Sequence, residues 1–225
     1  MNALAVDTAT EALGLALRAG EHTRSELALA GFRHSENLLP HVRRLLADAS
    51  LGPADLDLIV CSLGPGSFTG IRIGLAAVKG LAFAARPGGT PLIGVSTLEG
   101  LAWRHRRLGF PVAAVNASLR RRFHAGLFRG GVLQGEFLEE ELEGLASRLA
   151  GEPALALCGS GAERLYELLA ARRGPEGLLL DAGAAPADPV GLLEAGLARY
   201  AQAGPTPEPV PLYLRKSEAE IRRSD

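Results

Sequence analysis

The chain has 225 residues, of which 47% are hydrophobic and 22% are charged, so it can form a core and is not disordered. Its 24 Lys and Arg residues are balanced by 25 Asp and Glu residues, and the net charge of −1 argues against a general binder of polyanions. The longest stretch without a charged residue, 58–71, is interrupted by Gly64-Pro65-Gly66 and is too short to span a bilayer. We therefore expect a soluble α/β protein with no membrane partner.

The cysteines and the N-terminus indicate the compartment. Cys61 and Cys158 are the only cysteines, and each lies in an apolar, strand-like run. They predict two buried thiols in a reducing cytoplasm, without a disulfide framework or a Cys-rich metal site. No basic segment opens the chain, and Asp7 interrupts the first apolar run, so we expect no signal peptide.

The first half of the chain predicts a hairpin followed by alternating helices and strands. Residues 1–17 contain two strands around a polar turn, and a third strand covers 23–30. Ser35 is the predicted N-cap of a helix that extends to residue 49. A buried strand over 56–61, a helix over 71–85, a strand over 91–95 and a helix capped by Thr97 and ending at residue 107 follow.

The second half repeats this order. Strands are predicted at 112–115 and 123–128, a helix at 141–149, a strand at 154–158, a helix at 162–172, a short strand at 178–180 and a helix at 189–203. The runs 5–9 and 58–62 align with 114–118 and 155–159, which indicates an internal duplication. An α/β protein of two duplicated lobes, here predicted as 1–100 and a smaller, divergent 101–225, resembles the actin-like ATPase and sugar kinase (RNase H-like) superfamily.

The predicted turn at residues 7–10 carries a carboxylate, two hydroxyls and exposed amides. Asp7 and Thr8 could hold phosphate oxygens and a hydrated Mg²⁺, as an ATP-binding enzyme of this fold would require. The alternative is an Asx turn in which Asp7 accepts a hydrogen bond from its own backbone. Asn116, the matching residue of the second lobe, supplies no second carboxylate, so we expect no nucleotide turnover, metal or resident cofactor.

The loop from Gly64 to Gly70 leads from a buried strand into a helix, and its amides and hydroxyls could bind an anion. It is not a P-loop, because no lysine follows the last glycine. A turn in which Ser67 or Thr69 caps the helix explains the same residues and is the favoured interpretation. Weak binding of a nucleotide or phosphate would use Asp7, Thr8, Gly64, Gly66, Ser67 and Thr69.

The helix predicted over 71–85 is apolar nearly all round, which indicates burial on more than one side. Gly70, Gly74 and Ala77 form a smooth strip that allows close helix packing, although each internal glycine costs about 1 kcal/mol of helix propensity. Burial against helix 35–49 within the lobe would explain the strip, but a subunit interface using both helices is the preferred interpretation. The predicted interface residues are Leu38, Leu39, Val42, Leu45, Leu46, Gly70, Ile71, Gly74, Leu75 and Val78.

The remaining charged and histidine residues predict no catalytic site. No two of the five histidines are spaced i, i+3 or i, i+4, so no helical zinc or iron site is predicted. Residues 100–135 contain Arg104, Arg106, Arg107, Arg120, Arg121, Arg122 and Arg129 but no acidic residue, and an acidic block follows at 136–143. The basic block could contact an RNA backbone, but pairing between the two blocks is the favoured interpretation.

The run Gly64-Pro65-Gly66-Ser67-Phe68-Thr69-Gly70-Ile71-Arg72-Ile73-Gly74 resembles the signature of the bacterial TsaB family, also called YeaZ. Segments 5–11, 34–40, 93–98 and 211–215 also match the family, in order along the chain. The segment 116–123 departs from the Asp-Ala-Arg pattern, with Glu and Tyr further along, that family members often carry there.

This resemblance implies the actin-like fold and a role in making threonylcarbamoyladenosine at position 37 of tRNA. In that family the chain is a non-catalytic partner of the related transferase TsaD, and the ATPase TsaE joins them. The first two helices form the family's dimer interface, which here means 35–49 and 70–85. We therefore expect TsaD and TsaE as partners, tRNA contact only through the complex, and a homodimer when the chain is alone.

Overall fold

The computed structural model describes residues 1–29, 31, 33–85, 87–118, 121–183, 186–205 and 208–214. Its first half contains three strands, a helix and then alternating elements around one sheet. They are β1 (Asn2–Asp7), β2 (Ala12–Ala19), β3 (His22–Leu29), α1 (His34–Ala47), a 3-10 helix (Pro53–Asp55), β4 (Leu58–Ser62), α2 (Phe68–Ala85) and β5 (Leu92–Val95). The sheet order is β3-β2-β1-β4-β5, with β4 parallel to both β1 and β5.

The second half forms a second sheet with the same plan. Its elements are α3 (Thr97–Trp103), β6 (Val112–Ala117), β7 (Arg122–Arg129), β8 (Val132–Leu133), β9 (Leu138–Glu141), α4 (Leu142–Leu149), β10 (Leu155–Cys158), α5 (Ala162–Arg173), β11 (Leu178–Leu180) and α6 (Pro189–Ala203). The order β8-β7-β6-β10-β11 repeats the order of the first sheet strand for strand. The predicted α/β fold of two duplicated lobes is confirmed.

Strand β9 is the longest of the elements that the sequence does not predict. Its residues, Leu138-Glu139-Glu140-Glu141, look like a solvated acidic run, yet they pair antiparallel with β7. Glu139 lies opposite His124, and Glu141 lies opposite Arg122. Arg122 Nε of β7 lies 3.6 Å from Glu139, so one ion pair between the two strands helps to stabilise a strand whose own side chains have low strand propensity.

The first helix begins two residues earlier than a cap at Ser35 would require. Arg33 is at the N-cap position and makes no side-chain capping hydrogen bond, so Ser35 lies inside the first turn. His34 is fully buried, and its Nε2 lies 2.8 Å from the carbonyl oxygen of Thr10. The start of α1 is thus anchored by a buried histidine on the β1–β2 turn.

The cap of α3 also differs from the prediction by one residue. Ser96 accepts a hydrogen bond from the amide of Leu98 at 3.2 Å and caps the helix. Thr97 is the first helical residue, and its hydroxyl donates to Asp7 Oδ1 at 3.4 Å instead. The helix ends at Trp103, four residues before the predicted end at 107.

Helices α3 and α6 connect the two lobes, because they pack on different sheets and cross each other. α6 packs on the face of the first sheet opposite α1 and α2, whereas α3 packs on the second sheet. The helices cross where a Cβ atom on Gly191 would lie 2.1 Å from the carbonyl oxygen of Gly100. The predicted division into 1–100 and 101–225 assigns α6 to the second lobe, although its buried side chains complete the first core.

Both cysteines are buried and unbonded, as predicted. Cys61 lies in β4 and Cys158 in β10, at equivalent places in the two sheets. Burial raises the pKa of each thiol to about 12, so both remain protonated near neutral pH.

Candidate functional site

The turn between β1 and β2 is sealed inside the first lobe. Asp7 is 1% exposed, and its Oδ1 accepts hydrogen bonds from the amide of Ala9 at 2.9 Å and the hydroxyl of Thr97 at 3.4 Å. Burial raises the pKa of this carboxyl group above its usual value, although the hydrogen bonds oppose that shift. The geometry is that of an Asx turn, the alternative interpretation of this motif.

The glycine loop packs directly on this turn. Thr8 Oγ1 donates to the carbonyl oxygen of Gly70 at 2.8 Å, and the amide of Ser67 donates to the carbonyl oxygen of Ala9 at 2.6 Å. A Cβ atom on Gly66 would lie 2.0 Å from that same Ala9 oxygen. Glycine is required at residue 66 because the two backbones are in contact.

The loop also begins α2. Ser67 Oγ accepts from the amide of Gly70 at 3.1 Å, which is the hydrogen bond of an N-cap, while Thr69 is exposed. The carbonyl oxygen of Gly64 accepts from the amide of Thr97 at 2.9 Å. The structure therefore brings the predicted phosphate-binding residues together, but the amides of Ser67 and Gly70 already have acceptors within the chain.

The equivalent turn of the second lobe contains Asn116, which is 2% exposed. Its Oδ1 accepts from the amide of Ser160 at 3.0 Å, and its Nδ2 donates to the carbonyl oxygen of Pro186 at 2.7 Å. Asn116 thus joins three segments of the lobe through its side-chain amide. Within the described ranges, no three His, Cys, Asp or Glu side chains cluster closely enough to hold a metal ion.

A cavity of about 100 Å³ lies beside the α3–α6 crossing, below the roughly 300–1,000 Å³ of ordinary ligand pockets. Arg104 lies 3.5 Å from both Asp181 and Asp188, and His105 Nε2 lies 2.9 Å from Asp181. Sequence reasoning missed these acidic residues. The signal was available, because Asp181 directly follows β11 at the carboxyl edge of parallel strands, where α/β proteins place ligands.

Most of the predicted interface residues face the chain's own core. Leu39 alone among the ten is exposed, with 48% of its surface accessible. The other nine are buried within the chain, because helical periodicity identifies the face that packs on the sheet, and their contact with a partner stays a prediction. The nine buried residues are Leu38, Val42, Leu45, Leu46, Gly70, Ile71, Gly74, Leu75 and Val78.

A different face of α2 is open to solvent. We call it the α2 outer face, and its residues are Thr69, Ile73, Ala76, Gly80, Phe83 and Ala84. Phe83 is 87% exposed, and a Cβ atom on Gly80 would meet no atom within 4 Å. Next to Phe83, the end of α2 borders an open depression of about 570 Å³. Apolar residues around the whole helix did predict a second packing side, but the predicted interface residues were taken from the buried side of α2.

Length and composition alone would allow α2 to cross a membrane, and it is the one such helix among the described residues. Only a third of the helix is buried within the chain. Its buried side, which includes Ile71, Leu75 and Val78, packs on the first sheet as a core helix does. The apolar composition of α2 is therefore explained by two apolar sides of the helix, one of which packs on the chain's own sheet.

Residues 211–214 return to α2. The amide of Leu212 donates to the carbonyl oxygen of Leu63 at 2.7 Å, and Tyr213 stacks on Phe68 with ring centroids 4.8 Å apart. Arg72 donates through Nε to the Tyr213 hydroxyl at 3.0 Å. The matching segment 211–215 thus contacts the signature loop, although residue 215 lies outside the described residues.

In the part of the chain that the structure describes, Arg122–Glu139 is the one ion pair between the basic and acidic blocks, and the other arginines described below pair with acidic residues outside the acidic block. Arg122 Nε lies 3.6 Å from Glu139, and Arg129 lies 2.8 Å from Glu152. Arg104 pairs with Asp181 and Asp188, as described above. Arg120 lies outside the described residues.

Comparison with known proteins identifies the family. The family model of TsaD, tRNA N6-adenosine threonylcarbamoyltransferase, matches residues 28–149, more than half of the chain. The TsaB protein of Bacillus subtilis is 31% identical over 231 residues, which cover 99% of this chain and 97% of that protein. This chain belongs to the TsaB family. The Escherichia coli TsaB protein is 35% identical over 148 residues, and the alignment covers 64% of this chain and 63% of that protein.

Solved structures confirm the TsaB resemblance and the fold. YeaZ from Pseudomonas aeruginosa has a TM-score of 0.73 and 28% identity, with 95% of this chain and 99% of that chain covered. ROK hexokinase from Thermus thermophilus has a TM-score of 0.55 at 14% identity, with 90% of this chain and 100% of that chain covered. A Bacteroides thetaiotaomicron protein with an actin-like ATPase fold has a TM-score of 0.51 at 11% identity, with 86% and 95% covered. The last two share the fold alone.

Proposed function

We propose that this chain is a non-catalytic subunit of the cytoplasmic machinery that makes tRNA threonylcarbamoyladenosine, and that it binds a TsaD-type transferase. The carrying observation is the α2 outer face, an apolar surface that includes Phe83 at 87% exposure. Large exposed apolar surfaces on a folded chain favour protein association. Membership of the TsaB family, whose relatives are named for this biosynthesis, supports the assignment.

The two equivalent turns at Asp7 and Asn116 support a non-catalytic role. Asp7 is buried and bonded within its own turn, and Asn116 is committed to Ser160 and Pro186. A nucleotide-hydrolysing site needs carboxylates that can reach a metal and amides that can reach phosphates. We propose that the chain has no resident cofactor and no nucleotide turnover of its own.

The choice of partner is supported by shared sequence. The match to the TsaD family model includes both α1 and α2, so a TsaD-type protein carries a related pair of helices. Two related helix pairs can pack about an approximate two-fold axis, as identical chains do in a homodimer. We propose that the α2 outer face and Leu39 bind TsaD, or a second copy when TsaD is absent. TsaE and tRNA then join through the complex.

The docking surface can be tested by titrating the transferase with variants of this chain. Ala76→Arg and Phe83→Asp should each weaken the complex by at least about tenfold, because a charge would be buried against an apolar partner. Val132→Asp, at an exposed apolar residue of the second lobe, is the matched control and should leave affinity unchanged. Unchanged affinity for both α2 variants would exclude this face as the docking surface.

The role itself is tested by incorporation of labelled threonine into tRNA. The mixture contains ATP, bicarbonate, the enzyme that makes the threonylcarbamoyl adenylate, TsaD and TsaE, with this chain present or omitted. Product should be lost on omission, and the isolated chain should hydrolyse no ATP. Undiminished product without the chain would contradict the proposal, as would ATP turnover that Asp7→Ala abolishes.

A further inference from the structure

One charged side chain at the edge of the α2 outer face is held in a fixed position. The Arg72 guanidinium lies 3.8 Å from the centroid of the Phe68 ring, and its Nε donates to the Tyr213 hydroxyl. Tyr213 in turn stacks on Phe68. Among the residues that the structure describes, Nε is the only Arg72 nitrogen with a hydrogen bond, so both terminal nitrogens are free to bind another group.

The segment that holds Arg72 comes from the far end of the sequence. Residues 208–214 follow α6 and pass along the edge of α2, where Glu208 lies 3.9 Å from Lys79. Arg72 and Lys79 are seven residues apart and therefore lie on the same side of the helix. Lys79 already faces a carboxylate of the segment, whereas the terminal nitrogens of Arg72 do not.

We propose that Arg72 binds an Asp or Glu carboxylate of the TsaD-type partner, and that Tyr213 positions Arg72 for this contact. This inference rests on the proposed function. A guanidinium binds a carboxylate through two parallel hydrogen bonds, and both nitrogens needed for them are open here. Charge complementarity points to an acidic group, because α2 itself carries two basic residues, Arg72 and Lys79, and no acidic one.

The surroundings favour a protein over a nucleic acid. Arg72 lies beside Thr69, Ile73 and Ala76 of the outer face, an apolar stripe that a phosphate backbone would leave uncovered. Arginine beside apolar and aromatic groups is typical of the residues that dominate binding energy in protein interfaces. The contact also costs little conformational entropy, because Phe68 and Tyr213 fix the side chain before the partner arrives.

The test measures affinity for the TsaD-type transferase of the same organism at two salt concentrations. Arg72→Gln should raise Kd by at least about tenfold and reduce the salt dependence of Kd. Arg72→Lys keeps the charge without the planar fork and should be intermediate. Arg107→Gln removes an exposed arginine of the second lobe and serves as the control, with no change in Kd.

The positioning role of Tyr213 is tested separately. Tyr213→Phe keeps the ring stack but removes the hydroxyl, and should raise Kd by about two- to fivefold. In the Arg72→Gln background the same change should have no effect, because the hydroxyl acts through the guanidinium. Equal effects in both backgrounds would contradict that role. Thermal unfolding of each variant checks that the fold is kept.

Comparison with the outer-face variants distinguishes the two proposals. If Phe83→Asp weakens the complex and Arg72→Gln does not, the Arg72 contact is overturned while the docking surface stands. If none of these variants weakens the complex, the proposed docking surface itself fails. If Arg72→Gln lowers tRNA affinity but leaves the protein complex intact, its ligand is a phosphate and the carboxylate contact is wrong.

Discussion

Thr8 and Gly74 are in direct contact across the first lobe, since a Cβ atom on Gly74 would lie only 2.1 Å from Thr8 Oγ1. Gly70 makes a similar approach, with its Cβ position 2.2 Å from the carbonyl oxygen of Thr8. The two glycines therefore let α2 pack on the β1–β2 turn of its own lobe. Their spacing suggested a smooth strip on which another chain could pack, but Thr8 of the same chain occupies that place.

Two glycines of α2 should respond oppositely to alanine. Gly74→Ala should destabilise the chain by about 1–3 kcal/mol, because the new methyl group meets the buried Thr8 side chain. Gly80→Ala should stabilise it by up to about 1 kcal/mol, because Gly80 lies in open space and alanine is the better helix former. Urea unfolding measures both changes. Equal effects of the two substitutions would contradict the assigned orientation of the helix.

The neighbours Leu38 and Leu39 provide a second paired test. Leu38 is 2% exposed within the first core, so Leu38→Ala should reduce the free energy of unfolding by about 2–5 kcal/mol. Leu39 is 48% exposed, so Leu39→Asp should change stability by less than about 1 kcal/mol. In a TsaD titration, Leu39→Asp should nevertheless weaken binding. If Leu39→Asp unfolds the chain, the burial assigned to α1 is wrong.

The raised pKa of Asp7 predicts that the stability of the chain depends on pH. Its pKa is raised on folding, so the cost of keeping it ionised appears as the pH rises above its unfolded value of about 4. Asp7→Asn removes that titration while Oδ1 still accepts from Ala9. The stability of the variant relative to the wild type should therefore increase from pH 4 upward and then level off above the folded pKa.

The equivalent residue of the second lobe supplies the control for Asp7→Asn. Asn116→Asp places a carboxylate beside the carbonyl oxygen of Pro186, which now accepts from Nδ2. This variant should be destabilised, and increasingly so at higher pH. Urea unfolding between pH 4 and 8 measures both series, and a pH-independent difference for Asp7→Asn would contradict the pKa shift.

The two thiols should be unreactive until the chain unfolds. Cys61 and Cys158 are each 1% exposed, and burial raises both pKa values to about 12. The thiolate, which is the reactive species, is therefore scarce at pH 8. Ellman's reagent should detect no rapidly reacting thiol in the native chain and two in denaturant. If one thiol reacts rapidly in the native chain, the sheet that contains it is more open than described.

Strong patterns in the sequence predict most of the fold. The apolar runs of β1, β4, β6 and β10 are long enough to be read as buried strands, and their repeated order predicts the duplication. β9 could not be predicted in this way, because its three consecutive glutamates have low strand propensity and their pairing with β7 carries no local signal. The predicted cap at Ser35 is wrong by two residues and the one at Thr97 by one, because tertiary contacts of His34 and Thr97 set those helix ends.

The candidate site was less predictable than the fold. The sequence correctly groups Asp7, Thr8 and Ser67, but it does not reveal that their hydrogen-bonding groups already have partners within the chain, namely Ala9, Gly70 and Thr97. Periodicity identifies the buried side of α1 and α2, so it selected Leu38 and missed Phe83. Contacts between distant segments carry no local signal, and the approach of Tyr213 to Arg72 across 141 residues is of this kind.

The crossing of α3 and α6 has a consequence for how the chain is made. As the protein leaves the ribosome, the first sheet is complete once β5 has emerged, but one of its faces stays bare. Ala5, Leu58 and Val60 on that face are covered by Leu192 and Leu193, which are translated about a hundred residues later. Neither lobe is therefore an independent unit of synthesis, and a messenger truncated before α6 would encode a first lobe with an exposed, aggregation-prone sheet.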